Sequence, residues 1–195
     1  QLKEAYMRAM VLHRQKTRLK LENLPIPRIK RKEVLIKVEA CGICRTDLHI
    51  LDGELTEPKL PLIMGHQIVG KIVKLGEHVK GFKIGDRVGV PWLGYSCGEC
   101  KFCRGGRENL CNGAKYTGYN INGGFAEYCK ADSRFIFKIP IGFSPVSAAP
   151  LLCAGLIGFR AYNMVRDAEK LGIYGFGSAA HLLIQIAKYE GKRVF

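Results

Sequence analysis

The sequence predicts an α+β chain in which a β-rich domain is followed by the beginning of an α/β unit. Short runs of alternating apolar and polar residues, separated by glycine and proline, fill residues 7–90 and are typical of antiparallel strands. Near the C-terminus, a short apolar run, a glycine-rich turn and an amphipathic helix follow one another in the order of a βαβ unit. With 195 residues, of which 47% are hydrophobic, the chain is long enough for one complete domain and part of another.

The β-rich domain begins with three predicted strands, at residues 9–13, 19–25 and 33–40. Residues 64–90 continue the pattern with β-branched side chains between turn glycines, which indicates a strongly bent antiparallel sheet or a small barrel. Strand character returns over residues 124–140, after a segment rich in cysteine.

The remaining residues are predicted to be mainly helical. Residues 144–165 are expected to form a helix, with Ser144 as its N-cap and Pro145 at its first position. A strand at 170–174, a glycine turn and a helix over 181–191 come next, and residues 193–195 begin a second strand. The apolar face of the last helix contains Ala179, Leu182, Leu183, Ile186 and Ala187. We place the change of domain near residue 145.

Four closely spaced cysteines give the strongest chemical signal: Cys97, Cys100, Cys103 and Cys111. Thiolates at this spacing can close a tetrahedron around one zinc ion, and the glycines among them allow a short loop to wrap tightly. Two disulfides are the alternative, but bridges between cysteines three residues apart would be strained, and the sequence has no secretory character.

The formal net charge of +14 leaves several interpretations open. Basic residues are spread along the chain rather than gathered in one block, which argues against nucleic-acid binding and leaves attraction of an anionic cofactor or a simple basic surface. The N-terminus lacks the apolar core of a signal peptide, and the most apolar stretch, residues 146–159, is interrupted by proline and glycine. We therefore expect a cytoplasmic protein with no membrane contact, whose eight cysteines are better explained by metal binding than by oxidation.

Three further residues form a possible catalytic metal site: Cys44 in CGICRTDLH, His66 in MGHQIVG and Cys153 in PLLCAGL. Two thiolates and an imidazole can bind zinc and leave a fourth position for water or substrate. Taken singly, Cys153 could be an ordinary core residue and His66 a hydrogen-bonded turn residue.

Six motifs, in this order, resemble those of the zinc-dependent alcohol dehydrogenases of the medium-chain family: CGICRTDLH, GHQIVGKIVKLGEHV, GDRV, the four-cysteine lobe, PLLCAG and GFGSAA. The resemblance implies a GroES-like catalytic domain over residues 1–145, with the four-cysteine lobe at about 94–114. It also implies that residues 146–195 begin a Rossmann dinucleotide-binding domain and stop within it, so that this piece alone would be inactive.

The resemblance implies two zinc ions per chain. Cys44, His66 and Cys153 resemble the ligands of the catalytic zinc, and the four clustered cysteines resemble those of the structural zinc. Cys41 and Cys129 are then small buried thiols, although Cys41 and Cys44 also form a CxxC pair that could be redox-active.

Thr46 and His49 resemble the pair that relays the alcohol proton to solvent. Because zinc lowers the pKa of a bound hydroxyl from about 16 towards 7, a nearby hydroxyl and an imidazole can carry the released proton outward. Asp47 is expected to hydrogen-bond the His66 ring and fix which nitrogen faces the metal. Without the motif context, Thr46 would be an ordinary strand or cap residue, His49 a surface imidazole and Asp47 a turn carboxylate.

The sequence departs from the family at Gln67, where GHE is usual and this chain has GHQ. A neutral side chain leaves the field near the metal more positive and removes any part that the carboxylate plays in ligand exchange. We therefore expect a site that keeps zinc but has an altered pH dependence.

The turn GFGSAA fits the dinucleotide-binding pattern G-x-G-x-x-A, with Gly175, Gly177, Ser178, Ala179 and Ala180 at the start of a helix whose N–H groups can hold a pyrophosphate. Arg45 resembles a residue that touches the same phosphate, although alone it would be a solvated basic side chain. The acidic residue that holds the ribose would fall about 20 residues beyond Gly175, at Phe195, so the choice between NAD and NADP stays open, with the resemblance favouring NAD.

Trp92 resembles a wall of the substrate pocket that would favour short primary alcohols, although a single tryptophan could also be a core residue. We expect the full-length protein to be a homo-oligomer that oxidises primary alcohols to aldehydes, reversibly, with NAD, and that binds no nucleic acid. The alternatives are a polyol or sugar dehydrogenase of the same family and a zinc-ribbon-like nucleic-acid-binding module.

Overall fold

A computed structural model describes residues 5–195, within which twelve strands and five α-helices form. The strands are β1 (Tyr6–Leu12), β2 (Lys20–Pro25), β3 (Glu33–Gly42), β4 (Leu62–Ile63), β5 (Gln67–Leu75), β6 (Arg87–Val90), β7 (Leu93–Tyr95), β8 (Lys115–Tyr116), β9 (Tyr128–Asp132), β10 (Phe137–Lys138), β11 (Lys170–Leu171) and β12 (Arg193–Val194). The helices are α1 (Arg45–Asp52), α2 (Lys101–Arg104), α3 (Pro145–Ala148), α4 (Ala154–Asn163) and α5 (Ser178–Tyr189).

The largest sheet is antiparallel and bent, with the strand order β10-β6-β5-β3-β9. The register between β3 and β5 shifts twice, between Leu35 and Ile36 and between Val38 and Ala40, and such irregularities bend and twist a sheet. Gly70 lies opposite this bend, where a β-carbon would come within 2.2 Å of the Lys37 carbonyl oxygen. The bent sheet expected from the glycine pattern is therefore present.

Alternate side chains of this sheet form its core. Val34, Ile36, Ile68, Ile72 and Val88 are fully buried and pack together on one face. A second sheet, in the order β2-β1-β4, packs its own apolar face against Phe125 and neighbouring residues. Strands β7 and β8 pair at the base of the four-cysteine segment.

The predicted βαβ unit is present at the C-terminal end of the chain. Strands β11 and β12 pair in parallel, and α5 lies between them in the sequence. Helix α4 packs against α5 at Gly158, where a β-carbon would lie 3.3 Å from the Ala179 carbonyl oxygen. Ala187 on the predicted apolar face is fully buried, which confirms the helical interpretation of this segment.

The prediction of one continuous helix over residues 144–165 is wrong. Ser144 caps α3 as predicted, accepting a hydrogen bond from Ser147 N at 3.1 Å, but the chain then tightens into a 3₁₀ turn, Ala149–Leu152. Cys153 has φ −134° and ψ −75°, and α4 begins only after it. Pro150 cannot donate a helical hydrogen bond, so the break occurs where the α-helical pattern is weakest.

Within residues 5–195, no single helix has the length and apolar character needed to cross a bilayer. The segments Pro145–Leu152 and Ala154–Asn163, which meet at a bend of 50°, reach those criteria only when taken together.

Candidate functional site

Cys44, His66 and Cys153 come together at one point of the fold. Each lies where a regular element begins: Cys44 precedes α1, His66 precedes β5 and Cys153 precedes α4. Their potential ligand atoms all lie within 4.8 Å of one another, and Cys44 Sγ is 3.2 Å from His66 Nε2. Three residues separated by 22 and more positions in the sequence therefore present their donor atoms to one small volume.

This donor set fits a zinc ion. Zinc bonds of about 2.3 Å to sulfur and 2.1 Å to nitrogen place tetrahedral ligand atoms about 3.6 Å apart, which is comparable with the separations at this site. Two thiolates and one imidazole are typical zinc ligands, and three protein ligands leave one position for a reacting molecule.

Cys44 also caps helix α1. Its Sγ accepts a hydrogen bond from Thr46 N at 3.3 Å, while its own N–H donates to Asp47 Oδ2 at 2.9 Å, so the two residues form a reciprocal capping box. A hydrogen bond with the Cys153 thiol lowers the pKa of Cys44 to about 3 against the effect of burial, and the His66 ring acts in the same direction. The same hydrogen bond and burial raise the pKa of Cys153. Without a metal, this arrangement favours a thiolate at Cys44 and a thiol at Cys153.

Asp47 faces the other nitrogen of His66, as predicted. Asp47 Oδ1 lies 3.4 Å from His66 Nδ1, both side chains are almost fully buried, and neither atom has a hydrogen-bond partner among the described residues. Although burial lowers the pKa of His66, the Asp47 carboxylate and the Cys44 sulfur outweigh it and raise that pKa to about 9. The carboxylate thus faces Nδ1 of the ring, while Nε2 faces Cys44.

A cluster of glycines supports His66 from behind, and sequence reasoning missed it. Gly65 has φ +93°, and a β-carbon there would lie 2.6 Å from the Phe125 ring and 2.8 Å from Cys41 Sγ. A β-carbon on Gly123 would lie 2.0 Å from the Gly65 carbonyl oxygen. These glycines are distant in sequence, so no local pattern identifies them.

Gln67 is buried beside the same site. Its side-chain oxygen lies against Gly42, where a β-carbon would come within 2.4 Å of it. A hydrogen bond from Gln67 lowers the pKa of Cys153, although the effects of Cys44 and burial dominate. Gln67 therefore contacts one of the three candidate ligands.

The candidate metal site opens into a cavity of about 840 Å³. Thr46 and His49, one turn apart on α1, line it together with His66 and Cys153. His49 Nδ1 pairs with the Glu54 carboxylate, and the His49 side chain is 35% exposed, which gives it access to solvent. The predicted relay pair thus lines the same cavity as the candidate ligands His66 and Cys153.

Trp92 lines the cavity and also belongs to an aromatic cluster. It lines the cavity with its ring edge-on to His66 at 5.0 Å between centroids, and it stacks on Tyr116 at 5.0 Å. The indole is therefore a wall of the cavity beside the candidate ligand His66 as well as part of an aromatic cluster.

Further cavity residues were missed at the level of the sequence. They are Glu54, Leu55, Pro91, Leu93, Asn109, Phe135, Phe137, Leu152, Leu156, Ile157 and Arg160. Leu156, Ile157 and Arg160 share one face of the predicted helix, but the sequence does not show that this face borders the cavity.

The four clustered cysteines converge on a second point. The Sγ separations are 3.8 Å for Cys97 and Cys103, 3.6 Å for Cys100 and Cys103, and 3.5 Å for Cys97 and Cys111. These distances are close to the edge of a zinc–sulfur tetrahedron, about 3.8 Å, and far exceed a disulfide bond of about 2.05 Å. Backbone N–H groups of Glu99 and Cys100 lower the pKa of Cys97 to about 6, which favours a thiolate ligand.

The two spare cysteines are located in the core of the large sheet. Burial raises the pKa of Cys41 to about 12, and burial likewise raises the pKa of Cys129. Cys129 is a buried member of the core of the β3–β5 sheet and Cys41 packs partly buried against it, and the raised pKa of Cys41 disfavours a redox pair with Cys44.

The glycine turn adopts the predicted strand–turn–helix context. Gly175 has φ +88°, Gly177 is the N-cap of α5, and a β-carbon at either position would have no neighbour within 4 Å. Ser178, Ala179 and Ala180 form the first turn of the helix, whose N–H groups can bind an anion. Arg45 is exposed in the first turn of α1, and neither it nor this turn lines the cavity of the candidate zinc site.

Comparison with known proteins agrees with these geometries. Residues 30–141 match the family of alcohol dehydrogenase GroES-like domains. An alcohol dehydrogenase of Geobacillus stearothermophilus is 44% identical over 96% of this chain and 56% of its own length, and a probable alcohol dehydrogenase of Mycobacterium tuberculosis is 42% identical over 87% and 51%. The chain thus spans little more than half the length of these relatives.

Solved structures that resemble this chain also include alcohol dehydrogenases. A cinnamyl alcohol dehydrogenase of Sorghum bicolor superposes with a TM-score of 0.89 at 30% identity, covering 97% of this chain and 57% of the other. The acetophenone reductase of Geotrichum candidum, solved in complex with NAD, superposes with a TM-score of 0.87 at 31% identity, covering 100% and 58%. On its fold and on its sequence, the chain belongs to the zinc-type medium-chain alcohol dehydrogenases, the family with a GroES-like catalytic domain.

Proposed function

We propose that this chain is the catalytic part of an enzyme that oxidises primary alcohols to aldehydes, reversibly, by hydride transfer to NAD. The observation that carries the proposal is the meeting of Cys44, His66 and Cys153, within 4.8 Å, at a cavity that Thr46 and His49 also line. Candidate zinc ligands, a candidate proton relay and a substrate-sized space at one place support the proposal, because alcohol oxidation requires all three.

In this proposal, Cys44, His66 and Cys153 hold the catalytic zinc. When bound, the metal supplies Lewis acidity that makes a hydroxyl group easier to deprotonate at neutral pH. Asp47 keeps His66 in the orientation that directs Nε2 towards the metal position, since its carboxylate lies 3.4 Å from Nδ1.

The chain then has to remove a proton from the alcohol. The Thr46 hydroxyl can accept it from the substrate while donating its own proton onward, and His49 can receive that proton and release it to solvent. The Glu54 carboxylate contacts Nδ1 of His49 and fixes the position of the ring at the cavity.

Two zinc ions per chain are proposed, the second held by Cys97, Cys100, Cys103 and Cys111. The charged lobe at about 94–114 is then a metal-stabilised projection from a catalytic domain over residues 1–145, with the cofactor domain beginning at 146. The cofactor is proposed to bind at Gly175, Gly177, Ser178, Ala179 and Ala180, with Arg45 at its phosphate.

NAD is the preferred cofactor in this proposal. A relative from Sulfolobus acidocaldarius is an NAD-dependent alcohol dehydrogenase, 37% identical, whereas a similar structure from Helicobacter pylori was solved with NADP(H). We further propose that the whole protein is a cytoplasmic homo-oligomer that acts on small alcohols and aldehydes. Membership of the dehydrogenase family and the second ligand set disfavour the zinc-ribbon alternative.

Metal content and turnover of the full-length protein test this proposal. We expect two zinc ions per chain, reduction of NAD by ethanol or butanol, and loss of one zinc together with activity in Cys153→Ala. Cys129→Ala removes a buried cysteine outside both ligand sets and is expected to keep both metals. A wild-type protein that binds two zinc ions and reduces neither NAD nor NADP with any primary alcohol would contradict the proposal.

A further inference from the structure

The cavity at the candidate zinc site changes chemical character along helix α4. Cys153 lies at one end, Leu156 and Ile157 follow one turn later, and Arg160 follows after a second turn. Because residues i, i+3, i+4 and i+7 share one helical face, these side chains form a row that runs from a metal ligand through apolar contacts to a cation.

Arg160 is the basic residue of this row, and its hydrogen-bond partner among the described residues is a neutral amide. Its Nη1 donates to Asn109 Oδ1 at 3.4 Å across the cavity, and Asn109 belongs to the four-cysteine lobe. Within residues 5–195, no carboxylate forms an ion pair with Arg160, whereas the cavity's acidic residue, Glu54, is paired with His49. A guanidinium has five N–H donors in a planar fork, so most of its donors remain available to a carboxylate.

We propose that Arg160, assisted by Asn109, binds the anionic end of a substrate whose alcohol group occupies the candidate zinc site. The substrate class is an unbranched ω-hydroxy carboxylate, or the corresponding aldehyde acid in the reverse direction. This inference rests on the proposed function and adds the substrate's second recognition group.

The structure sets the length of such a substrate. Arg160 lies seven positions after Cys153, the residue that precedes α4, which corresponds to about 10 Å between the two backbone positions along the helix axis at 1.5 Å per residue. An extended chain advances about 3.5 Å over three bonds, so roughly nine bonds are needed to reach from one end to the other. 10-Hydroxydecanoate meets this requirement, and its methylene chain would contact Leu156 and Ile157, which are 46% and 56% exposed.

The width of the cavity favours an unbranched chain. Trp92 lies edge-on to His66 and is held by its stacking on Tyr116, so it cannot easily turn aside to admit a branch beside the metal position. Trp92 therefore restricts bulk near the reacting carbon, while Arg160 selects the far end.

The test compares 10-hydroxydecanoate with 1,10-decanediol, a neutral alcohol of the same length, in the zinc-loaded full-length enzyme with saturating NAD. We expect kcat/KM to favour the acid by about tenfold, which corresponds to 1.4 kcal/mol. Arg160→Gln should remove this preference mainly through KM and leave the diol within about twofold, because the lost contact acts equally on ground and transition states. Arg160→Lys should retain part of the preference, and 4-hydroxybutanoate, which is too short to reach Arg160, should not respond to either variant.

Arg18→Gln is the matched control, since it removes the same charge from an exposed arginine that is outside the cavity. The inference is overturned if acid and diol are used equally well, or if Arg160→Gln slows both substrates alike. It is also overturned if Arg160→Gln raises KM for NAD instead, because the arginine would then contact the cofactor. Oxidation of simple primary alcohols without an acid preference would refute this inference alone, whereas no alcohol oxidation at all would refute the proposed function with it.

Discussion

Gly123→Ala tests whether the glycine cluster behind His66 positions the candidate metal ligand. A β-carbon on Gly123 would lie 2.0 Å from the Gly65 carbonyl oxygen, 2.6 Å from the Met64 carbonyl oxygen and 2.9 Å from Gly118 Cα. All three neighbours are backbone atoms, so the added methyl group can be accommodated only by moving the segment that carries His66. Overpacking of this kind costs about 3 kcal/mol.

The expected result is a joint loss of stability and metal. At about 2–4 °C per kcal/mol for a chain of this size, Tm should fall by roughly 6–12 °C. Zinc content should drop from two ions towards one, because His66 moves while the four-cysteine lobe keeps its ion. Thermal unfolding followed by circular dichroism and elemental analysis of the same samples measure both effects.

Gly81→Ala separates crowding from backbone strain. Gly81 has φ +80°, and a β-carbon there would meet no atom within 4 Å, so this variant carries only the left-handed penalty of about 1–2 kcal/mol. It should keep both zinc ions. If Gly123→Ala were no less stable than Gly81→Ala, or kept its full metal content, the glycine cluster would not position His66.

Two further perturbations address the lobe and the sheet. Cys103→Ser should remove about one zinc ion per chain and make residues 94–114 the first site of limited proteolysis, whereas unchanged zinc content would exclude Cys103 as a ligand. Glu39, whose pKa is lowered by hydrogen bonds from Arg87 and by Lys71, should stabilise the fold above pH 4.5 and lose that effect as the pH falls through its lowered pKa. The free energy of unfolding in urea should therefore be up to about 1 kcal/mol lower for Glu39→Gln than for wild type at pH 7, and nearly the same near pH 2. A difference that persists in acid would contradict the ion-pair explanation.

The sequence was sufficient for those features that depend on local pattern or on residue chemistry. Period-two alternation predicted the strands, the strand–glycine–helix order predicted the βαβ unit, and the spacing of Cys97, Cys100, Cys103 and Cys111 predicted one shared point. The break at Cys153 was not predicted, because apolar residues on both sides continue a helical period through it. The steric demand at Gly123 arises from contact with Gly65, 58 positions earlier, and such contacts leave no trace in a local pattern.

The residues that line the cavity also divide into those that a local motif identifies and those that depend on contacts between distant parts of the chain. Thr46, His49 and Trp92 were identified through motifs, and all three line it. Asn109 and Arg160 were not identified, because they belong to the lobe and to α4 and meet only after the chain has folded. Residues that carry chemistry can thus be recognised singly, whereas residues that shape a substrate site depend on which elements face each other.

Asp47 has two contacts that a pair of substitutions can separate. Oδ2 accepts the Cys44 N–H at 2.9 Å and completes the capping box of α1, while Oδ1 lies 3.4 Å from His66 Nδ1. Asp47→Asn keeps an oxygen for the cap but removes the charge beside the imidazole. Zinc affinity should therefore fall by about 10- to 100-fold, as for other residues that orient a metal-binding histidine, with little change in stability.

Asp47→Ala removes both contacts. It should show the same loss of zinc affinity and, in addition, about 1 kcal/mol of lost stability from the broken cap. Competition with a chelator measures the affinity, and urea unfolding of the metal-free full-length proteins measures the cap. Equal stability of the two variants would mean that the cap contributes nothing, and an unchanged affinity in Asp47→Asn would mean that the carboxylate does not orient His66. Cys44 is both the cap of α1 and a candidate ligand, so the contacts of Asp47 with Cys44 and His66 connect the start of α1 to the positions of two candidate ligands. These two contacts explain why an acidic residue is buried at this point of the fold.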